Sequence, residues 1–149
     1  MLNLDTKELT GFLNTVGTKL GKSIDTKKAV TESAALVASL IKKRTRSGKD
    51  IENKPFKPYG SGSRRGKSRV DLSSSGKLLD SIEVRVLNDM EALVGIFDPE
   101  QERKAMIHQL GLGNAPVRRF FGVSDADSIT MRKILEIFTN EINKAVNKI

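Results

Sequence analysis

The most constraining feature of this chain is a basic segment from Lys42 to Arg69, where glycine and proline recur and neither helical nor strand periodicity is present. It contains eleven of the 26 lysines and arginines, against two acidic residues, Asp50 and Glu52. Its net charge is +9 while the whole chain carries +8, so the remainder is close to neutral. A connection of this length inside a compact domain is usually functional or ordered by a partner. We therefore predict one domain over residues 1–149, carrying a flexible basic arm at about 42–70.

Length and composition limit the class of protein. A chain of 149 residues can bury about two-thirds of its unfolded surface. It has six phenylalanines, one tyrosine and no tryptophan, so the core should be mostly aliphatic. The sequence has no run of 18 apolar residues and begins without the pattern of a signal peptide, so we expect no membrane partner and assembly in the cytoplasm. The absence of cysteine excludes disulfides and thiolate metal sites.

Two amphipathic helices are predicted before the arm, because apolar residues recur there every three or four positions. The first runs from Leu4 to Leu20, with Asp5 and Glu8 placed as a capping box. The second begins after Asp25 and runs to about Arg44, where a cationic last turn favours the negative end of the helix dipole.

Beyond the arm, an antiparallel hairpin is predicted. Ile82 to Leu87 alternates apolar and polar residues, Asn88 to Glu91 supplies a turn, and Ala92 to Phe97 is apolar on both faces. Pro99 then opens a third helix that ends at Leu110, since glycines and a proline follow.

The last quarter of the chain is predicted to be mainly helical. Val117 to Val123 is either a short strand or an extended connection. Ser124 and Asp127 have capping-box spacing and open a long terminal helix with an apolar stripe as far as Ile149. The predicted fold class is α+β: a small antiparallel sheet with the hairpin at its centre, packed with N-terminal helices and a long C-terminal helix, with a long basic loop.

Motifs of catalysis are weak in this sequence. Residues 62–68 (GSRRGKS) superficially resemble a phosphate-binding loop, but Ser61 stands where the first glycine belongs and no apolar strand precedes it. The glycines at 111 and 113 end a helix rather than begin one, and Pro116 occupies the third glycine position of a dinucleotide fingerprint. His108 is the only histidine and lacks cysteine co-ligands. We predict that the protein is not an enzyme and has no catalytic, cofactor-binding or metal-binding residues.

The arm itself has two candidate uses besides that of a solvated loop. Pro55 and Pro58 stiffen the stretch that carries Phe56 and Tyr59, so the rings could be presented to a partner. The arm could contact nucleic-acid phosphates, or it could order against a neighbouring subunit, which the rings and prolines favour. The candidate interface residues are Arg44, Arg46, Lys49, Lys54, Phe56, Lys57, Tyr59, Arg64, Arg65, Lys67 and Arg69.

Four segments between about residues 35 and 140 resemble, in this order, the bacteriophage virion morphogenesis proteins of the tail-completion or neck type. The first comprises Arg44, Thr45, Gly48, Asp50, Pro55, Phe56, Pro58 and Tyr59. The second comprises Leu72, Ser75, Gly76, Leu78, Leu79, Ser81 and Ile82. The third comprises Ala105, Ile107, His108, Gln109 and Gly111. The fourth comprises Pro116, Arg118, Phe120, Gly122, Ser124 and Asp127.

This resemblance implies a structural virion protein at the neck or head-proximal tail end. It would form a homo-oligomeric ring, by analogy of six copies, that caps the tail and joins it to the head connector. The implied partners are other copies of the chain, the connector or adaptor, the tail terminator or tail tube, and possibly viral DNA through non-specific contacts. The alternative is a sequence-independent DNA-binding protein acting through the arm.

The resemblance also assigns structural roles. His108 and Gln109 would close a turn by hydrogen bonds, and Arg118 and Arg119 would pair with acids of a neighbour. The full set of structural motif residues is Gly76, His108, Gln109, Gly111, Pro116, Arg118, Phe120 and Gly122.

Overall fold

A computed structural model describes residues 6–59 and 70–148, with side chains from residue 14 onward. Five α-helices and a two-stranded antiparallel sheet form the described chain, which confirms the α+β class. The elements are α1 Thr6–Ser23, α2 Thr26–Arg46, α3 Lys77–Asp80, β1 Ile82–Asn88, β2 Glu91–Ile96, α4 Pro99–Leu110 and α5 Ser128–Val146.

Helix α2 is the central element, and it is longer than the sequence pattern predicts. Asp25 caps its start, because the carboxylate accepts a 3.0 Å hydrogen bond from the amide of Lys28. Its last turn includes Arg46, and the Ser47 hydroxyl donates to the carbonyl of Arg44. The prediction that the arm begins at about residue 42 is therefore corrected: the first five residues assigned to it are helical, because cations suit a helix C-terminus.

The hairpin is confirmed, with each strand one residue longer on the turn side than predicted. Ile82 pairs with Ile96 and Val84 with Val94, and a bulge separates Val86 from Asn88 beside the turn. The hairpin lies along α2. Its base lines a cleft with the C-terminal half of α2, whereas its turn lies beside residues 30–37 of that helix.

One core joins α2, α3, the hairpin base, α4 and three irregular segments. Its buried members are Ala38, Ile41, Phe56, Val70, Leu72, Leu78, Leu79, Ile82, Ala105 and Phe120. The two phenylalanines come from segments without regular secondary structure, so the core depends on chain that a periodicity argument assigns to loops.

The C-terminal part resolves the alternative at residues 117–123, which form an extended connection rather than a strand. The capping box of Ser124 and Asp127 is confirmed, and it opens a short 3-10 turn that leads into α5. The apolar stripe of α5 is only partly buried, since Leu135 is 67% exposed. None of the helices in the described ranges has both the length and the apolarity that a membrane span requires.

The N-terminal prediction is tested only in part. Helix α1 is present and ends at Ser23, three residues later than predicted. Of its predicted capping box, Asp5 lies outside the described residues and the side chain of Glu8 is not described.

Candidate functional site

The candidate site is the contact between two irregular segments: residues 47–59, called here the basic loop, and residues 116–124, called the strap. The amide of Ile51 donates to the carbonyl of Arg119 at 2.8 Å, and the hydroxyl of Ser124 donates to the carbonyl of Ile51. Within the loop, the amide of Phe56 donates to the carbonyl of Gly48 at 2.9 Å. The first half of the predicted arm is thus folded onto the body of the protein.

Arg44 ties the end of α2 to the strap. Its Nη1 donates to Asp127 Oδ2 at 2.7 Å, and its Nη2 donates to the carbonyls of Phe120 and Gly122 at 2.9 and 2.7 Å. Only 5% of Arg44 is exposed. Asp127 Oδ2 also accepts a hydrogen bond from the amide of Ser124, at 2.9 Å. A planar guanidinium suits this site because it donates in several fixed directions at once.

Gln109 holds the strap from the other side. Its Oε1 accepts from the amides of Phe120 and Phe121, both at 3.1 Å, and its Nε2 donates to the carbonyl of Phe121 at 3.0 Å. The carbonyl of His108 accepts from the amide of Arg118 at 2.7 Å. The side chain of Gln109 and the main-chain carbonyl of His108 therefore join α4 to the strap, while the structural role predicted for the His108 side chain stays a prediction.

Gly111 ends α4 directly before the turn that leads into the strap. Its φ of +68° is left-handed, and a Cβ there would lie 2.7 Å from Cγ2 of Val117. Both facts require glycine, which accounts for this motif position. Gly76 also has a positive φ, at the start of α3, and Pro116 begins the strap.

Arg118 joins the strap to the far end of the basic loop. Its Nε donates to the carbonyl of Lys57 and its Nη2 to that of Pro58, each at 2.9 Å, and the guanidinium lies 4.9 Å from the ring centroid of Tyr59. Burial lowers the pKa of Arg118 from its ordinary value. The expected pairing of Arg118 with an acid of a neighbour stays a prediction; Nε and Nη2 donate within the chain, and only 3% of the residue is exposed. Arg119 forms its ion pair internally as well, with Glu52 at 3.2 Å.

Two residues assigned to an exposed arm are instead internal. Arg44 and Phe56 are both buried, so their roles are to attach the loop rather than to meet a partner. The rest of the strap agrees with a packing role: Phe120 is fully buried, and Gly122 lies beside the Ile51 side chain.

The remaining cationic residues of the arm differ in whether they form an ion pair. Arg46 pairs with Asp80 at 3.0 Å and Lys54 with Glu52 at 2.6 Å. Lys49 and Lys57 form no ion pair with a described carboxylate. Four predicted arm residues lie outside the described ranges: Arg64, Arg65, Lys67 and Arg69.

A groove between α2 and the start of α5 is a surface feature that the sequence interpretation missed. It has a volume of about 440 Å³, and its apolar lining includes Leu36, Leu40 and Ile129. Lys43, Lys49 and Lys133 also line it. Ile129 is 70% exposed and falls outside the apolar stripe of α5. That position outside the stripe is the one sequence signal that could have indicated the groove.

Comparison with known proteins identifies no relative: no protein-family model, no curated protein and no solved structure matches this chain. In the described parts of the chain, no group of three or more histidine or carboxylate side chains is arranged to hold a metal ion.

Proposed function

We propose that this chain is a structural subunit of a bacteriophage neck or tail-completion ring, which caps the tail and joins it to the head connector. The proposal rests on the order of the four motif segments and on how their polar residues are used. Arg44, Gln109 and Arg118 come from three of those segments, and all three bind the strap or hold it to the basic loop. This convergence is the observation that carries the proposal.

This arrangement makes the strap rigid. The hydrogen bonds of Arg44 and Gln109 satisfy the backbone of a segment that has no secondary structure of its own. Several directional hydrogen bonds to neighbouring backbone groups restrict such a segment to one conformation. A subunit that must fit between two fixed assemblies needs irregular surface segments with a defined shape, and the strap is such a segment.

The described surface also suits ring formation. A closed ring requires two different, complementary surfaces on each subunit. The hairpin turn exposes Leu87 and Met90, while the groove at the start of α5 exposes Ile129 between lysines. These surfaces are chemically distinct, as head-to-tail association requires.

The decisive experiment removes the gene from a phage that encodes this chain. The expected products are DNA-filled heads and separate tails, counted by electron microscopy, with joining restored when the wild-type protein is supplied. The protein should also be found at the neck of purified particles. Normal joined particles in its absence would overturn the proposal.

The second candidate is sequence-independent DNA binding, and the observation that favours it is the cluster of Lys43, Lys49 and Lys133 without a described carboxylate partner. Three phosphate contacts would give a slope of about −2.7 in log affinity against log salt. Titration of duplex DNA at rising salt tests this candidate, and absence of binding at low salt would remove it.

A further inference from the structure

We infer that the β1–β2 turn of one copy inserts into the lysine-lined groove of the next copy, and that this contact builds the ring. The inference rests on the proposed function, because it names the subunit interface that such a ring needs. It follows from apolar and charge complementarity between two surfaces of the same chain.

The groove is lined by both apolar and cationic side chains. Leu36 and Leu40 of α2 and Ile129 of α5 supply apolar surface, and Ile129 is 70% exposed. The lining lysines are unpaired with any described carboxylate, and Asp127, which also lines the groove, is neutralised by the guanidinium of Arg44. The groove therefore carries net positive charge beside exposed apolar surface, and it fits an acidic segment that also carries apolar side chains.

The β1–β2 turn has that chemistry. Met90 at its tip is 72% exposed, and Leu87 and Leu93 on either side are also exposed. Asp89 and Glu91 flank Met90, so two acids lie within one residue of it. Turns are normally polar, because their residues face water. A methionine with this exposure at the tip of a hairpin is explained if another copy covers it.

The two surfaces lie on different sides of the subunit, so the contact has to be made between copies. The turn lies beside Val30 and Ser33 of α2, whereas the groove is lined by Leu36, Leu40 and Lys43. At 100° and 1.5 Å per residue, the two sets of α2 residues are centred about 80° apart around the helix axis and about 12 Å apart along it. A turn cannot reach its own groove from there. Because the paired surfaces differ, repetition of the contact is head-to-tail, and such a contact builds a ring when the rotation between successive copies closes.

Cysteine cross-linking tests the contact directly, since the chain has no cysteine of its own. Met90→Cys and Ile129→Cys each introduce a single thiol, one at the turn and one in the groove. On oxidation, an equimolar mixture should give a disulfide-linked dimer containing one copy of each, and neither variant alone should cross-link. A chain carrying both substitutions should give a ladder whose upper limit reports the number of subunits. Met106→Cys mixed with Ile129→Cys is the control, because Met106 is exposed on α4 and should not cross-link.

Charge reversal provides the independent readout. Lys49→Glu with Lys133→Glu, and separately Asp89→Lys with Glu91→Lys, should each abolish the assembly seen by sedimentation. Mixing the two proteins should restore pairing between them. Lys148→Glu, an exposed lysine near the other end of α5, should leave assembly unchanged.

The outcomes separate the two proposals. Rings that form in every variant, or Met90→Cys cross-linking to itself, would overturn the turn-in-groove contact and leave the neck function standing. If the groove variants lose DNA binding but keep their assembly, the groove binds nucleic acid, and the turn-in-groove contact is overturned in that case too. A wild-type protein that forms no assembly, either in solution or in particles, would overturn both.

Discussion

The strap and the hairpin turn both lie outside regular helices, yet the apolar side chain at the centre of each differs in burial. Phe120 of the strap is fully buried, and its amide and carbonyl are bonded to Gln109 and Arg44. Met90 of the turn is largely exposed, although its side chain is apolar and its neighbours Asp89 and Glu91 are charged. The strap is completed within the chain, whereas the turn leaves apolar surface in water.

This difference shows which surface is available for association. Buried polar groups are stabilised by hydrogen bonds, and the backbone of Phe120, Phe121 and Gly122 in the strap finds partners within its own chain, although Nε of Arg44 is buried without one. Exposed apolar surface lowers its free energy when it is covered, so the turn gains from a partner. Substitutions in the strap should thus change stability, and substitutions in the turn should change assembly.

The largest effect should come from Arg44→Met. It leaves Asp127 buried without its cation and removes donors from the carbonyls of Phe120 and Gly122, so we expect a loss of about 3–5 kcal/mol in the free energy of unfolding. Urea denaturation measures it. Arg46→Met is the matched control, because its pair with Asp80 is exposed and should cost at most about 1 kcal/mol. Equal losses for the two variants would contradict the account of the strap.

Gln109→Leu should have an intermediate effect. Two amides and one carbonyl of the strap lose their partner, which should destabilise the protein by about 1–3 kcal/mol. Amide hydrogen exchange of Phe120 and Phe121 should accelerate more than that of the α2 amides. Gln109→Glu keeps the acceptor and should retain most of the protection; a similar acceleration in both variants would argue against this role.

Met90→Ser should barely change stability, within about 0.5 kcal/mol, because the side chain is mostly exposed. Assembly should nevertheless weaken, as sedimentation at matched concentrations would show. Met106→Ser, also exposed, should alter neither property. A marked loss of thermal stability in Met90→Ser alone would mean that the turn packs within its own chain.

The smallest effect concerns Glu52, which links the basic loop to the strap at the surface. Hydrogen bonding and charge from Lys54, and then the charge of Arg119, lower the pKa of Glu52 below its ordinary value of 4.5. A lowered folded-state pKa stabilises the fold above the unfolded value, and this contribution is lost as the pH falls through the folded one. Glu52→Gln should therefore be slightly less stable than wild type at pH 7, and the difference should shrink steadily as the pH is lowered below 4.5. A difference in urea midpoint that does not shrink on acidification would contradict the electrostatic origin.

Much of the fold follows from local sequence. The period-2 alternation from Ile82, the capping residues Asp25, Ser124 and Asp127, and the proline at 99 each act within a few residues, and each element they predict is present. The site was harder to predict. Arg44 lies in a highly charged segment where nothing local distinguishes it from the exposed cations, and Phe56 lies in a stretch without periodicity, so no local pattern predicts its burial.

What the sequence by itself determined is the set of local elements: that α2, the hairpin, α4 and α5 form and their approximate bounds, because capping, periodicity and turn chemistry depend on neighbouring residues. What only the tertiary structure decided is which cations of the basic segment are internal and which surfaces remain open. Arg44 reaches Asp127, 83 positions along the chain, and Arg118 reaches the carbonyl of Lys57, 61 positions away. Burial and charge pairing at such separations depend on packing, which no local pattern specifies.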